Sequence, residues 1–290
     1  MVGPARRAAV LGHPIDHSLS PVLHRAAYGE LGLDWDYSAI DVTSDGLAGF
    51  LESLGPEWVG LSPTMPLKET VIELLTDIEP AAAAVRAVNT VLLDGAGRAG
   101  FNTDITGLQA IFSDAQIGPH SVATVIGAGA TARSAVAALA AVGVARTTVL
   151  ARRPEPAAEL GVLANGLGMA AEVGSWPPTA EALAGDIVVS TVPADVAAAF
   201  ATPARHGLLV DVLYHPWPTP LAAAWEGAGG RVVGGLELLV RQAVEQVTLI
   251  TGRRPSIDRL RAVGSAALNG RSAPEHATTL GSSEIAQAEQ

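Results

Sequence analysis

The segment that most constrains the fold lies near the middle of the chain, where the apolar run Val122–Ile126 leads into a glycine-rich turn. The turn has the spacing Gly127-x-Gly129-x-x-Ala132 and is followed by an alanine-rich stretch. In a dinucleotide-binding unit, the first glycine permits the sharp turn, the second lets the backbone approach a pyrophosphate, and a small third residue lets the helix pack close to the strand. This spacing also fits a plain strand-to-helix bend. The apolar strand before the turn and the helical pattern after it therefore carry the prediction.

Phosphates bound at such a turn meet the free N–H groups of the helix N-terminus, where the helix dipole favours negative charge. The predicted cofactor contacts of the turn are Gly127, Ala128, Gly129, Ala130, Thr131 and Ala132.

The rest of the second half repeats the alternation of strand and helix. We predict strands at 122–126, 147–151, 169–173, 187–191 and 208–213, with helices between them. Alternation of this kind indicates parallel strands joined by right-handed crossovers, which is a doubly wound sheet. The first half also alternates, with strands at 8–11, 36–42 and 58–61 and a hairpin formed by 87–93 and 98–101.

The predicted fold is therefore α/β. It consists of an N-terminal α/β substrate domain and a Rossmann-type dinucleotide-binding domain, with the active-site cleft between them. We place the first domain at 1–104 and the second at 105–235, and expect a helix at about 236–268 to return to the first. Residues 270–290 have little apolar periodicity and are predicted to be a disordered tail.

Composition excludes several function classes. The net charge of −11 argues against nucleic-acid binding, and the absence of cysteine excludes disulfides and thiolate metal sites. No uncharged apolar run reaches membrane-spanning length, and the N-terminus lacks the apolar core of a signal peptide. We expect a cytoplasmic protein, monomeric or homodimeric, that binds a small molecule and neither nucleic acid nor membrane.

The end of the strand at 147–151 indicates which dinucleotide binds. An NAD site usually carries an acidic residue there, which binds the ribose 2′-hydroxyl. Here the strand is followed by Arg152 and Arg153, whose guanidinium groups suit a 2′-phosphate. These arginines could also be a solvated strand end. Together with the glycine turn they favour NADP over NAD.

Polar residues in the first half have both structural and chemical interpretations. Ser18 and Ser20 stand just before a helix, where hydroxyls often serve as caps. Lys68 follows a proline-rich loop and Asp104 begins a helix, so each could be a surface charge or half of an acid–base pair. Asn89 could be a turn residue. The two histidines of the loop at 12–21 lack a third ligand at suitable spacing, so no metal site is predicted.

Ordered motifs along most of the chain resemble the shikimate dehydrogenase family. Six blocks carry the resemblance, at 12–21, 60–68, 87–90, 102–107, 211–221 and 234–243, and they surround the glycine turn. The resemblance implies reversible NADP-linked interconversion of 3-dehydroshikimate and shikimate. It implies that Lys68 and Asp104 form the acid–base pair and that Ser18 and Ser20 hold the substrate carboxylate, with Tyr214 nearby.

The resemblance also implies contacts to the substrate hydroxyls and to the cofactor. The hydroxyl contacts are Thr64, Lys68, Asn89, Asp104 and Gln242, and the further cofactor contacts are Thr191, Val192, Leu213 and Gly235. The chemistry is consistent, because hydride arriving at a ketone carbon creates an alkoxide that a neighbouring ammonium can stabilise and protonate.

Several positions depart from the usual family pattern. They are Ser62-Pro63 for Asn-Val, Arg86 for glycine, Ala151 for asparagine, 190–193 for Asn-Ala-Thr, and Glu237 for an apolar residue. These departures leave open a quinate or quinate/shikimate dehydrogenase, with NAD or NADP, and a paralogue acting on an amino-substituted analogue. A non-catalytic dinucleotide sensor would be expected to lack the Lys68–Asp104 pair. A folate-linked dehydrogenase fits the serine, Asn89 and Asp104 blocks poorly.

Overall fold

A computed structural model of the chain describes residues 6–95, 97–200 and 207–272, with only the backbone given for 271 and 272. Within these ranges the strands form two six-stranded sheets. The α/β fold class predicted from the sequence is confirmed.

The first sheet is built from strands of the N-terminal half. They are β1 (Arg6–Gly12), β2 (Trp35–Asp41), β3 (Trp58–Pro63), β4 (Asp77–Ile78), β5 (Thr90–Leu93) and β6 (Arg98–Phe101), in the order β2-β1-β3-β5-β6-β4. β1 runs parallel to β2 and β3, and β5 is antiparallel to β3 and β6, which confirms the predicted hairpin. β3 extends two residues beyond its predicted end at 61 and ends at Pro63. A proline is tolerated in this last position because its missing N–H removes no hydrogen bond from the rest of the strand. The short β4 was not predicted.

The second sheet has the Rossmann order. Its strands are β7 (Val122–Ile126), β8 (Arg146–Leu150), β9 (Ala170–Val173), β10 (Ile187–Ser190), β11 (Leu208–Asp211) and β12 (Arg231–Gly234), in the order β12-β11-β10-β7-β8-β9. All neighbouring pairs are parallel. The strand order reverses between β7 and β10, and this reversal is the place where ligands bind in such sheets. β12 was not predicted, because it is a four-residue strand with no fully buried residue.

Helices cover both faces of the sheets. They are α1 (Ser20–Glu30), α2 (Leu47–Glu52), α3 (Leu67–Thr70), α4 (Pro80–Ala84), α5 (Thr103–Asp114), α6 (Ala130–Ala141), α7 (Pro154–Gly166), α8 (Ala194–Ala197), α9 (Pro220–Gly227), α10 (Gly235–Thr251) and α11 (Ile257–Ser272), with a 3₁₀ turn at Val71–Leu74. Successive residues of a strand point to opposite faces of the sheet and enter different apolar cores, as Val125 and Ile126 do on β7.

The C-terminal part differs from its prediction. The single helix expected at about 236–268 is two helices, because Gly252 ends α10 in the left-handed conformation (φ 69°) and α11 begins at Ile257. Both pack on α1, and Leu23, Val240 and Leu260 share one core with β1. α11 continues to Ser272, so the start predicted for the tail at 270 is wrong, and residues 273–290 lie outside the described part.

The division into domains at 104/105 stays a prediction. Its boundary lies within the first turn of α5, a helix that contacts both α6 and α10.

Glu237 ties the two C-terminal helices together. Its carboxylate accepts hydrogen bonds from Arg241 (2.6 Å) and Arg261 (2.8 and 3.0 Å), and Arg241 also pairs with Asp114 of α5 at 2.6 Å. Hydrogen bonds from Arg261 and then Arg241 hold the pKa of Glu237 below its usual value, against the opposing effect of burial. The charged residue at this departure from the family pattern is thus paired.

Replacing Arg86 with glycine is expected to raise the free energy of unfolding by about 0.5–1 kcal/mol. Arg86 is exposed and has a φ of +48°. In this left-handed region the Cβ of an L-residue lies too close to the backbone, which destabilises the folded state. Glycine removes this cost but adds chain entropy to the unfolded state, so the net gain is modest. Urea unfolding at equilibrium measures it. Arg86→Ala keeps the Cβ and is the control; a gain equal to that of Arg86→Gly would contradict backbone strain as the cause.

Candidate active site

A cleft of about 280 Å³ lies where loops of the first sheet meet the carboxyl ends of β7 and β11 and the start of α10. All eight residues predicted to contact substrate line it: Ser18, Ser20, Thr64, Lys68, Asn89, Asp104, Tyr214 and Gln242. Thr131 and Gly235, two of the predicted cofactor contacts, line the same cleft. The structure therefore brings together residues from both sheets at the place where the second sheet reverses its strand order.

Lys68 and Asp104 form an ion pair inside the cleft. Lys68 Nζ donates to Asp104 Oδ2 at 2.5 Å, and the two side chains are only 14% and 7% exposed. A buried ammonium that is paired on one side and open to the cleft on another can stabilise and protonate an oxygen that becomes negative there.

Asp104 is placed by the start of α5. Asn102 caps this helix, and its side-chain oxygen accepts from the backbone N–H groups of Asp104 (3.1 Å) and Ile105 (3.3 Å). The carboxylate therefore stands in the first helical turn, where the helix dipole favours its negative charge.

Asn89 bridges Asp104 and Gln242. Its Nδ2 donates to Asp104 Oδ1 at 2.9 Å and to Gln242 Oε1 at 3.4 Å. Its Oδ1 accepts from the backbone N–H of Thr103 (2.8 Å) and from the Thr90 hydroxyl (3.0 Å), which fixes the side-chain amide in one orientation. The N–H groups therefore face the carboxylate.

The loop at 12–21, which carries Ser18 and Ser20, meets the proline-rich loop at 63–67, which leads to Lys68, at Gly12. A Cβ on Gly12 would lie 2.6 Å from Thr64 Cγ2, so only glycine allows this approach. Ser20 does not cap α1 through its side chain, because Leu19 is the N-cap residue and makes no side-chain cap bond. The capping role considered for Ser20 is therefore not realised, and Ser18 Oγ accepts from the Ser20 N–H at 3.2 Å.

His24 contacts the backbone of Ser20 from within the core of the first sheet. It is completely buried, its Nδ1 lies 2.9 Å from the Ser20 carbonyl, and its ring stacks on Tyr37 at 3.9 Å. Burial lowers the pKa of His24 to about 4, against the opposing effect of the Ser20 hydrogen bond. The imidazole is thus neutral at neutral pH and can donate Nδ1–H to Ser20.

The glycine turn has the shape that a bound pyrophosphate requires. Gly127 has a φ of +106°, and a Cβ there would collide with the Thr191 hydroxyl oxygen. A Cβ on Gly129, the N-cap of α6, would meet nothing within 4 Å, so this face of the turn is open. Ala132 is buried against the sheet, as the spacing predicts.

The arginine pair follows β8, beside the glycine turn. Gly127 N–H donates to the Leu150 carbonyl at 2.8 Å, which ties the turn to the end of β8. Arg152 and Arg153 are exposed, and among the described residues neither makes an ion pair. Free guanidinium groups at this strand end fit a 2′-phosphate.

The remaining predicted cofactor contacts lie at the ends of β10 and β11. Thr191 Oγ1 donates to the carbonyl of Ile126 at 2.8 Å, so its hydroxyl proton is used in a bond to the residue that precedes the glycine turn. Val192 is the next residue and is partly exposed. The Leu213 carbonyl accepts from Gly235 N–H at 2.9 Å, and a Cβ on Gly235 would collide with the Val212 carbonyl. Their contact with a cofactor stays a prediction.

Arg133 links α6, the helix that follows the glycine turn, to α3, the short helix that carries Lys68. Its guanidinium pairs with Glu69, the neighbour of Lys68, at 2.6 Å and donates to the Val85 carbonyl at 2.7 Å. The helix that begins at the glycine turn therefore contacts the segments that carry Lys68 and Asn89.

Three further polar side chains line the cleft and were not predicted to contact a ligand, namely His17, Ser62 and Gln246. Ser62 had been recognised only as a departure from the family pattern. Gln246 lies one helical turn beyond Gln242, a spacing that could have revealed it. In addition, Lys68 is the only lysine among the 290 residues.

Comparison with known proteins identifies the family. Residues 10–91 match the sequence profile of the shikimate dehydrogenase substrate binding domain. The shikimate dehydrogenase (NADP(+)) of Methanothermobacter thermautotrophicus is 34% identical over 269 residues, which cover 89% of this chain and 95% of that protein. The chain belongs to the shikimate dehydrogenase family.

Solved structures of family members have the same two-domain fold. A shikimate 5-dehydrogenase from Mycobacterium fortuitum is 42% identical and aligns with a TM-score of 0.82, over 91% of this chain and 99% of that chain. The Thermus thermophilus shikimate 5-dehydrogenase, in complex with NADP(H) and shikimate, is 31% identical with a TM-score of 0.79, over 91% and 100% of the two chains. The resemblance stated from the six sequence blocks is confirmed.

The described residues contain neither a membrane-spanning helix nor a cluster of metal ligands. None of their helices combines the length and apolar character needed to cross a bilayer. No group of three or more histidine, aspartate or glutamate side chains in this part of the chain is arranged to hold a metal ion.

Proposed function

We propose that the protein catalyses the reversible NADP-dependent reduction of 3-dehydroshikimate to shikimate, a step of aromatic amino acid and chorismate biosynthesis. The observation that carries the proposal is the convergence of the Lys68–Asp104 pair with six further polar side chains in one cleft beside the glycine turn. The family's enzymes named as shikimate dehydrogenase (NADP(+)) support the same reaction. The Thermus relative, solved with both ligands, supports the same substrate and cofactor.

NADPH, when bound, supplies the hydride that converts the ketone carbon into an alcohol carbon. Lys68 lies in the cleft as an ammonium and donates a proton to the ketone oxygen as that oxygen becomes an alkoxide. Asp104 accepts a hydrogen bond from Lys68 and holds the lysine side chain in one orientation. In the oxidation direction the same pair takes the hydroxyl proton back.

The remaining cleft residues fix the substrate. Ser18 and Ser20, with Tyr214 nearby, bind its carboxylate, and Thr64, Asn89 and Gln242 bind its ring hydroxyls. Burying several hydroxyls requires such partners, because each unpaired one would weaken binding by about 1–3 kcal/mol. The glycine turn and the helix start of α6 hold the pyrophosphate, and Arg152 with Arg153 holds the 2′-phosphate.

Replacing Arg152 with alanine is expected to raise the KM for NADP by about 10- to 100-fold and to leave the weak use of NAD nearly unchanged, because a hydrogen bond to a charged group contributes about 1.5–3 kcal/mol. Steady-state kinetics with each cofactor measures this. Arg146→Ala, at the exposed start of the same strand β8, is the matched control. Equal losses with NADP and NAD would show that Arg152 does not read the 2′-phosphate.

The experiment that tests the proposed function follows the ultraviolet absorbance of reduced nicotinamide with purified protein. It crosses shikimate and quinate with NADP and NAD. The expected result is strong activity with shikimate and NADP alone. Activity with quinate or NAD would keep the family and change the specificity. Cofactor binding without turnover in all four combinations would favour an amino-substituted substrate or a dinucleotide sensor.

The cytoplasmic location and the monomeric or dimeric state remain predictions. Size-exclusion chromatography with light scattering decides the second.

A further inference from the structure

A chain of buried hydrogen bonds runs behind the cleft, starting at the first sheet. The Tyr37 hydroxyl donates to Ser62 Oγ at 2.7 Å, and Ser62 Oγ donates to Gln246 Oε1 at 3.2 Å. Gln246 Nε2 in turn donates to the backbone carbonyl of Asn89 at 2.9 Å. Tyr37, Ser62 and Gln246 come from β2, β3 and α10, so the chain joins three elements at one point.

The same chain continues to the reacting pair. Asn89 Nδ2 donates to Asp104 Oδ1, and Asp104 Oδ2 accepts from Lys68 Nζ. Five consecutive hydrogen bonds thus connect Tyr37 with Lys68. Tyr37, Ser62, Gln246 and Asn89 are each at most 4% exposed, so little water competes for the hydrogen bonds that link them.

Gln246 is the link that positions Asn89. The side-chain amide of Asn89 is already held in one orientation by Thr90 and Thr103, but these bonds do not place its backbone on the side of α10. Among the described residues, the Asn89 carbonyl accepts a hydrogen bond only from Gln246. Without that donor a buried carbonyl would be unpaired, and the segment would shift toward another partner.

We propose that Gln246, held by Ser62 and Tyr37, is a positioning residue for the acid–base pair. It fixes the Asn89 backbone, the Asn89 amide fixes the Asp104 carboxylate, and the carboxylate fixes the Lys68 ammonium. The inference rests on the proposed function in one respect, namely that Lys68 and Asp104 are the reacting groups.

Tyr37, at the far end of the hydrogen-bond chain, gives the variant that best separates positioning from direct contact with substrate. Ser62 and Gln246 line the cleft and could act by touching substrate, whereas Tyr37 does not line it. Tyr37→Phe removes one hydroxyl from a buried ring. Tyr28→Phe is the matched control, because Tyr28 belongs to the same core and its buried hydroxyl has no hydrogen-bond partner among the described residues.

The first readout is steady-state kinetics with the substrate and cofactor found active. Gln246→Leu is expected to lower kcat by about 10-fold and Tyr37→Phe by about 3-fold, with smaller changes in KM, because misplaced catalytic groups cost rate more than binding. Tyr28→Phe is expected to leave kcat unchanged.

The second readout does not depend on activity. Because Lys68 is the only lysine, protein labelled with ¹³Cε-lysine gives one signal that needs no assignment. Its chemical shift at pH 7 is expected to move in Gln246→Leu and Tyr37→Phe and to stay in place in Tyr28→Phe. If Gln246→Leu does not fold, Tyr37→Phe alone carries the test.

The outcomes separate the two proposals. A wild-type protein without shikimate turnover, but with a lysine signal that moves in Tyr37→Phe, contradicts the proposed function and supports the positioning chain. An active wild type in which Tyr37→Phe matches Tyr28→Phe in both kcat and lysine signal overturns the positioning chain. A loss of kcat confined to Gln246→Leu also overturns it, because Gln246 would then act on the substrate directly.

Discussion

Replacing Lys68 with alanine is expected to lower kcat by about 10²–10⁴-fold, the usual contribution of a positioned proton donor, with a much smaller change in the KM for shikimate. The physical reason is that, in the proposed mechanism, the ammonium acts mainly on charge that develops on the ketone oxygen in the transition state. Steady-state kinetics in both directions measures the effect. Partial recovery of the rate by added ethylamine would identify the missing group as an amine, and turnover near that of the wild type would remove Lys68 from the mechanism.

Stability has to be separated from catalysis in this variant. Lys68→Ala leaves the Asp104 carboxylate unpaired in a site where it is only 7% exposed, so a lower melting temperature is expected as well. The double variant Lys68→Ala with Asp104→Asn removes the unpaired charge. It is expected to recover the melting temperature and to stay as inactive as Lys68→Ala.

Replacing Asp104 with asparagine is expected to lower kcat by about 10²-fold. The substitution removes the negative charge that orients Lys68, and one of the two new polar atoms is an N–H donor. Both carboxylate oxygens now accept, one from Lys68 and one from Asn89, so the new donor must face another donor. Kinetics and melting temperature together measure the effect.

The double variant also tests whether the pair acts as a unit. If it does, Asp104→Asn adds nothing to the loss caused by Lys68→Ala, because groups that act together are not additive. Losses that multiply would assign the two residues independent roles.

Thr106→Ala, on the same helix as Asp104, is the matched control for Asp104→Asn. The Thr106 hydroxyl bonds only to the Thr103 carbonyl among the described residues, so this variant is expected to keep the wild-type kcat.

Local features of the fold and site were predictable from the amino-acid sequence. β7 has the predicted bounds, and the glycine turn has the predicted shape, because adjacent residues dictate both. β8 ends at Leu150, one residue before its predicted end, so that Arg152 and Arg153 follow the strand as the sequence indicates, and α5 begins at Thr103, one residue before the predicted start at Asp104. Elements with weak local signals were missed, namely the short strands β4 and β12 and the break at Gly252.

Which distant residues meet was decided by packing. Lys68 and Asp104 are separated by 36 positions, and their pairing was expected only through the family resemblance. Ser62 and Gln246 are separated by 184 positions, and no periodicity signals their contact. Whether such side chains meet depends on how α10 is rotated and how far it advances over β3 and β5. The apolar contacts of whole elements set that position.

The residue types, the glycine turn and the paired arginines therefore follow from the sequence, because they depend on neighbours a few positions apart. The cleft, the ion pair and the hydrogen-bond chain from Tyr37 to Lys68 exist only in the tertiary structure. Hydrogen bonds act over about 3 Å, so they form between distant segments only after the cores of both sheets have brought those segments together.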